Sequence, residues 1–129
     1  MSYKVVQQNL EMDLHNLIKY QLVNYCFVQD MHLSPNQLET LTYLSEWGEM
    51  NMSDFCEKIS DDLEIYKSAQ TVRNFILDCI KDKLVVRTGK GSKNIEITSD
   101  AELLCEGNIV IKMNIYTNGE AEESKTAGS

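Results

Sequence analysis

Proline and histidine are scarce in this chain: Pro35 stands alone, and His15 and His32 both fall in the N-terminal third of the 129 residues. No apolar run approaches the roughly 20 residues that a membrane-crossing helix needs. The start, MSYKVVQQNLEMD, lacks the basic-then-apolar layout of a secretory leader. A cytoplasmic protein without a membrane partner is therefore expected. Cys26, Cys56, Cys79 and Cys105 are widely spaced and form no CxxC pair. They read as reduced thiols behaving as small hydrophobes, in preference to a disulfide or a zinc site. Catalytic signatures are missing too, with no GxSxG, HExxH, P-loop or GxGxxG pattern. Gly89-Lys90-Gly91-Ser92 combines glycine with lysine but lacks the P-loop spacing. The expectation is a protein that is not an enzyme and holds no cofactor or metal.

What remains suits one globular domain. The chain is 43% hydrophobic, enough for a core, and its length fits a single unit. Charge is distributed unevenly. Over the whole chain 12 basic residues face 20 acidic ones, a net charge of −8. Yet residues 67–93 carry Lys67, Arg73, Lys81, Lys83, Arg87, Lys90 and Lys93 against Asp78 and Asp82 alone, a local +5 that leaves −13 elsewhere. A duplex requires a local basic surface and tolerates acid elsewhere. The overall acidity argues against tight non-specific binding, which phosphate contacts dominate.

Along the chain, Tyr3 to Gln7 suits either a short strand or the lead-in to a helix. A helical period runs from about Asn9, with Leu10, Leu14, Leu17, Ile18 and Tyr25 on one face and Leu22 beside it. The apolar surplus Val23, Cys26, Phe27 and Val28 leaves two readings, a supporting core helix or a homodimer helix. Ser34-Pro35-Asn36-Gln37 is a capping box with proline at the first helical position. Leu38, Leu41, Leu44 and Trp47 form the stripe of that helix, and Gly48 ends it. A short helix from about Ser53 has Met52, Phe55, Cys56, Ile59 and Leu63 as its apolar face and an acidic face of Asp54, Glu57, Asp61, Asp62 and Glu64. Thr98 to Glu102 reads as another capping box, opening a short helix through Leu104. Asn108 to Tyr116 alternates as a half-buried strand with Ile109, Ile111, Met113 and Ile115 on one side. Residues 117–129 have almost nothing to bury and read as a disordered acidic tail.

The stretch Lys67 to Ile97 organises the rest. Ala69, Val72, Ile76, Cys79 and Ile80 recur at three- and four-residue steps, so a helix over 68–82 has one apolar face. Lys67, Gln70, Thr71, Asn74, Asp78 and Lys81 lie opposite. A strand over 84–86, a glycine-punctuated basic turn over 87–93 and a second strand at 94–97 follow. That order resembles the recognition helix and wing of a winged helix-turn-helix domain.

Together, LSPNQLETLTYLSEWGE, MSDFCEKI, QTVRNFILDCIKDKLVVRTGKGSKNIEIT and SDAELLCEG resemble the winged-helix core of MarR-type regulators over about residues 33–107. The resemblance rests on the order and spacing of elements. With the elements read above, the expected fold is α+β, mostly helical, a single domain over 1–116: an N-terminal helix in 1–32, the winged-helix core in 33–98, then a short helix and an extra strand in 99–116. The family's C-terminal dimer helix is absent. The resemblance also implies that double-stranded DNA is the partner. Gln70, Thr71, Arg73 and Asn74 would meet bases, types suited to adenine and guanine edges. Lys67, Ser68 and Lys81 would hold phosphates, and Arg87, Lys90, Ser92 and Lys93 of the wing would track the backbone or minor groove. The expected function is a small transcriptional regulator. The alternative is a winged-helix module that contacts a protein partner in a transcription, replication or phage-type assembly.

Overall fold

The computed structural model describes residues 2–117, so the expected tail over 118–129 lies outside the described residues. The described residues form an α+β fold with four α-helices and two small antiparallel sheets. They divide into two compact units, one formed by the stretch up to Met12 with the stretch from Gly107 on, the other by Asp13–Glu106.

The first unit is a ribbon. Strand β1 (Tyr3–Leu10) pairs antiparallel with β5 (Ile109–Tyr116), Tyr3 opposite Tyr116 and Leu10 opposite Ile109. The rings of Tyr3 and Tyr116 stack at 4.8 Å between centroids. This settles the open reading of residues 3–7 as a strand, and it corrects the expected helix start near Asn9. Leu10 stays extended because its partner is Ile109, and Asp13 then caps a later helix by accepting from the Asn16 N–H at 2.8 Å. Met113 and Ile115 of β5 are exposed, where a half-buried strand was expected. Thr117 belongs to the ribbon rather than to a tail: its N–H donates to the Ser2 carbonyl at 2.9 Å.

The second unit is built on helices α1 (Leu14–Val28), α2 (Pro35–Trp47), α3 (Met52–Glu57) and α4 (Ala69–Lys81). α1 buries Leu17, Ile18, Leu22 and Cys26. The buried face is therefore turned from the expected one: Leu22 is central and Leu14 is exposed. Val23, Phe27 and Val28 are also exposed. α2 starts as its sequence specifies. The Ser34 side chain accepts from the Gln37 N–H, the Gln37 side chain accepts from the Ser34 N–H, and Pro35 occupies the first turn. Gly48, at φ 79°, ends it with its N–H on the Leu44 carbonyl.

Across α1 and α2, the His15 ring sits between the carboxylates of Glu46 at Nδ1 and Glu39 at Nε2. Lys19 adds an ion pair to Glu39 at 3.0 Å. An imidazole whose two nitrogens both face carboxylates bonds both only when doubly protonated. Tyr43 packs its ring 4.6 Å from that of His15.

After α3 the helix widens into a π-helical turn over Lys58–Asp62. The added residue rotates Leu63 out of register, so it is exposed instead of joining the apolar face. Phe55 at the centre is fully buried and meets Trp47 edge-on, and the Lys58 ammonium lies 4.5 Å over the Trp47 ring. Cys26, Cys56 and Cys79 are buried free thiols and Cys105 is an exposed one. Burial first, then the carboxylates of Asp82 and Asp78, pushes the Cys79 thiol up to about 12.

A three-stranded sheet, ordered β2-β4-β3, closes the unit. β2 is only Met50–Asn51, β3 is Val85–Thr88 and β4 is Asn94–Ile97. The helix expected over Ser99–Leu104 is instead one 3₁₀ turn, Ser99–Ala101, that ends at Glu102 in the left-handed region. Its continuation is displaced by Gln21, whose side-chain amide binds both the N–H and the carbonyl of Leu104 at 2.8 Å.

The His15 contact gives a pH dependence with a definite sign. Burial by itself lowers the imidazole pKa, and hydrogen bonds to Glu46 and Glu39 with their charges more than offset it, so the folded value lies above 6.5. Its contribution is complete below about 6.5 and is lost as pH rises through the folded value. Urea titrations between pH 6 and 9 should show a loss of up to about 1 kcal/mol that is absent from a His15→Gln variant.

Candidate nucleic-acid interface

Helix α4 is amphipathic because its sequence separates by face. Val72, Phe75, Ile76 and Cys79 are buried, while Gln70, Thr71, Asn74, Asp78 and Lys81 are exposed. Ser68 caps it, accepting from the Thr71 N–H at 3.2 Å, and its hydroxyl also lies 2.9 Å from that of Thr71. That bond occupies one face of both hydroxyls at the entrance to the helix. Lys67 is exposed just before the cap.

The Gln70 amide donates to the Asn74 side-chain oxygen at 2.8 Å, four residues on. The pair presents two coplanar-capable amides on adjacent turns, each able to bond bidentately to an adenine edge. Arg73 is turned away from them. Its guanidinium donates to the Ser53 hydroxyl at 2.7 Å and approaches the Met52 sulfur at 3.3 Å, tying α4 to the first turn of α3. The sequence does not reveal this link, since Ser53 is 20 residues away and has no pattern that pairs it with Arg73.

A short turn connects α4 to the hairpin. The Leu84 N–H reaches the Cys79 carbonyl at 2.9 Å, and Leu84 and Val85 are buried. The β3–β4 hairpin turns through a 3₁₀ turn, Lys90–Ser92, with Arg87, Lys90, Ser92 and Lys93 all exposed. Arg87 folds onto the hairpin, donating to the Ser92 carbonyl at 3.3 Å, so Lys90 and Lys93 are its outward charges. Glu49, which precedes β2, accepts from Thr88 at 2.6 Å and from Asn94 at 3.2 Å. Those two bonds, Thr88 first, hold its carboxyl below the usual carboxylate range. Glu49, Thr88 and Asn94 thus brace the hairpin base, a role that sequence reading misses because it depends on β2 pairing with β4.

Acid limits the site at the other end of α4. A cavity of about 540 Å³ is lined by Asp30, Asp78 and Asp82 together with His32, Met31, Leu33, Phe75 and Leu84. The polar face able to approach phosphate is accordingly the first two turns of α4, before Asp78. Among the described residues no helix is long and apolar enough to cross a membrane. Comparison of the chain with protein-family models, with curated proteins and with solved structures gives no match.

Gly89 sets the shape of the hairpin. It sits at φ 77°, and a Cβ there would lie 2.7 Å from the Asn94 side-chain nitrogen. Gly89→Ala should cost about 1–2 kcal/mol in urea titration and detach Asn94 from Glu49. Gly48→Ala, with open space around its Cβ position, should cost about 1–3 kcal/mol through backbone conformation alone.

Proposed function

We propose that residues 13–106 form a winged helix-turn-helix that binds double-stranded DNA, and that the protein is a small transcriptional regulator. The observation that carries the reading is the exposed Gln70–Asn74 amide pair at the start of α4, followed in the chain by a hairpin whose outward charges are Lys90 and Lys93. In this reading Gln70, Thr71 and Asn74 read base edges. Lys67, Ser68, Lys90, Ser92 and Lys93 hold the backbone, while Lys81, past Asp78 at the acidic end of α4, is left out of the contact. Arg73 and Arg87 serve the frame, because their guanidinium groups are bonded to Ser53 and to the Ser92 carbonyl. The order α2, α3, α4, β3, β4 supports the assignment, as does the pairing of the short β2 with the hairpin strand β4. The proposal contains no catalytic step.

A second reading, a protein-contact module in a transcription, replication or phage-type assembly, is favoured by one feature. Asp78 interrupts the exposed face of α4, and with Asp30 and Asp82 it lines an acidic cavity that suits a basic segment of a partner.

Fluorescence anisotropy with selected and mixed-sequence duplexes, at about 50 and 200 mM salt, separates the two readings. A regulator binds one duplex preferentially and loses affinity steeply as salt rises. Asn74→Ala should cost about 1–3 kcal/mol and relax the preference at one position, whereas Lys90→Glu should weaken all duplexes alike and flatten the salt slope by about 1. Absence of binding at the lower salt would sink the DNA reading.

A further inference from the structure

The ribbon of β1 and β5 is half of something. Two strands by themselves are marginal in water; three or more with a shared apolar face are stable. Here one face of the ribbon carries Val6, Leu10, Ile109, Ile111, Met113 and Ile115 with Lys4 and Gln8 among them, and Met113 and Ile115 remain exposed.

The outer edge of β5 can be described residue by residue. The Thr117 N–H donates to the Ser2 carbonyl and the Ser2 N–H to the Thr117 hydroxyl, so this pair faces inward across the ladder, and inward-facing pairs alternate along antiparallel strands. Counting back, Ile115, Met113, Ile111 and Ile109 direct their backbone groups to β1. Tyr116, Asn114, Lys112 and Val110 direct theirs to the opposite edge, where no strand among the described residues pairs. Soluble chains usually blunt such an edge with proline, a bulge or several charges. β5 reads IVIKMNIY, with no proline, no glycine and Lys112 as its one charge.

That edge is complementary to itself. A two-fold axis perpendicular to the sheet keeps each face on its own side, so the antiparallel register must centre on a residue. Centred on Met113, it sets Ile111 against the partner's Ile115, Val110 against the partner's Tyr116, and Lys112 against the partner's Asn114. Residues with free backbone groups meet residues with free backbone groups, and apolar side chains meet apolar side chains on the richer face. Centred one residue earlier, it would oppose Lys112 to itself, which is unfavourable. Other centres shorten the overlap.

We propose that the protein is a homodimer in which β5 pairs antiparallel with β5 of a second copy about Met113, making a four-stranded sheet ordered β1-β5-β5-β1. The edge of β1, which carries Lys4 and the polar run Gln7-Gln8-Asn9, remains the outer, solvated one. The contact uses only the ribbon and does not rest on the DNA reading.

Light scattering and sedimentation of the full chain test this. The wild type should have the mass of two chains. Asn114→Pro should halve it, since it removes only an N–H that β1 does not use. Met113→Lys should also halve it, by placing two like charges at the axis. Circular dichroism monitors the fold of each variant. If either variant misfolds, crosslinking decides: in a Cys105→Ser background with oxidised glutathione, Met113→Cys should form a covalent dimer and Tyr116→Cys should not. The mass of one chain at every concentration overturns the proposal. So does a two-chain mass unmoved by both substitutions, which would place the contact elsewhere, such as the Tyr20–Val23–Phe27 stripe of α1. Equal crosslinking at 113 and 116 would exclude the register.

Discussion

The helical unit depends on the burial of one stripe of α4. Val72, Phe75, Ile76 and Cys79 lie in a single apolar cluster with Phe55 of α3, Ile59 of the π-helical turn, Leu41 and Leu44 of α2, and Leu22 and Cys26 of α1. Each fully buried aliphatic side chain contributes about 1.5–3 kcal/mol relative to exposure, far more than any surface ion pair in the molecule. Because the stripe is fixed this way, the rotation of α4 is fixed, and so is the identity of the residues it shows to solvent. The Arg73–Ser53 bond adds a second constraint at the α3 end. The polar pair Gln70–Asn74 is exposed as a consequence of packing on the other side of the helix.

Electrostatics then divides the surface of α4 along its length. Its first turns carry amides and hydroxyls with Lys67 nearby, and its end carries Asp78 and Asp82 beside Asp30. A helix C-terminus already presents the negative end of its dipole, so these carboxylates deepen a field that repels phosphate there. The net charge of −8 weakens long-range attraction to any polyanion. Under the proposed DNA reading, such a surface gains selectivity from base edges more than affinity from charge.

Much of this was legible because it is local. The α2 capping box is a four-residue pattern, and the amphipathic period of α4 repeats within one element; both match the observed bounds closely. The hairpin was visible in Gly89 and Gly91. The sequence misled wherever a distant partner decided. Leu10 fits a helical period, yet Ile109 holds it in a strand. Residues 99–104 contain a capping pattern, yet Gln21 takes the Leu104 backbone. Leu63 fits the apolar period until a π-helical turn shifts it. At the candidate interface the residue types were readable but their bonds within the fold were not: Arg73 is held by the Ser53 hydroxyl and Arg87 by the Ser92 carbonyl.

The ribbon has a consequence for how the chain is made. Its ladder joins residues more than 90 positions apart, from Leu10 with Ile109 out to Tyr3 with Tyr116. Such closure is slow relative to helix formation and has to await the far strand. During synthesis, β1 emerges from the ribosome first and stays without its mate until residues 109–116 follow, by which time the helices between them have had the chance to pack. An interval of that kind leaves a β-favouring segment unpaired. Lys4, the one charge within β1, is the residue type that opposes pairing of a waiting strand with its neighbours on the same message.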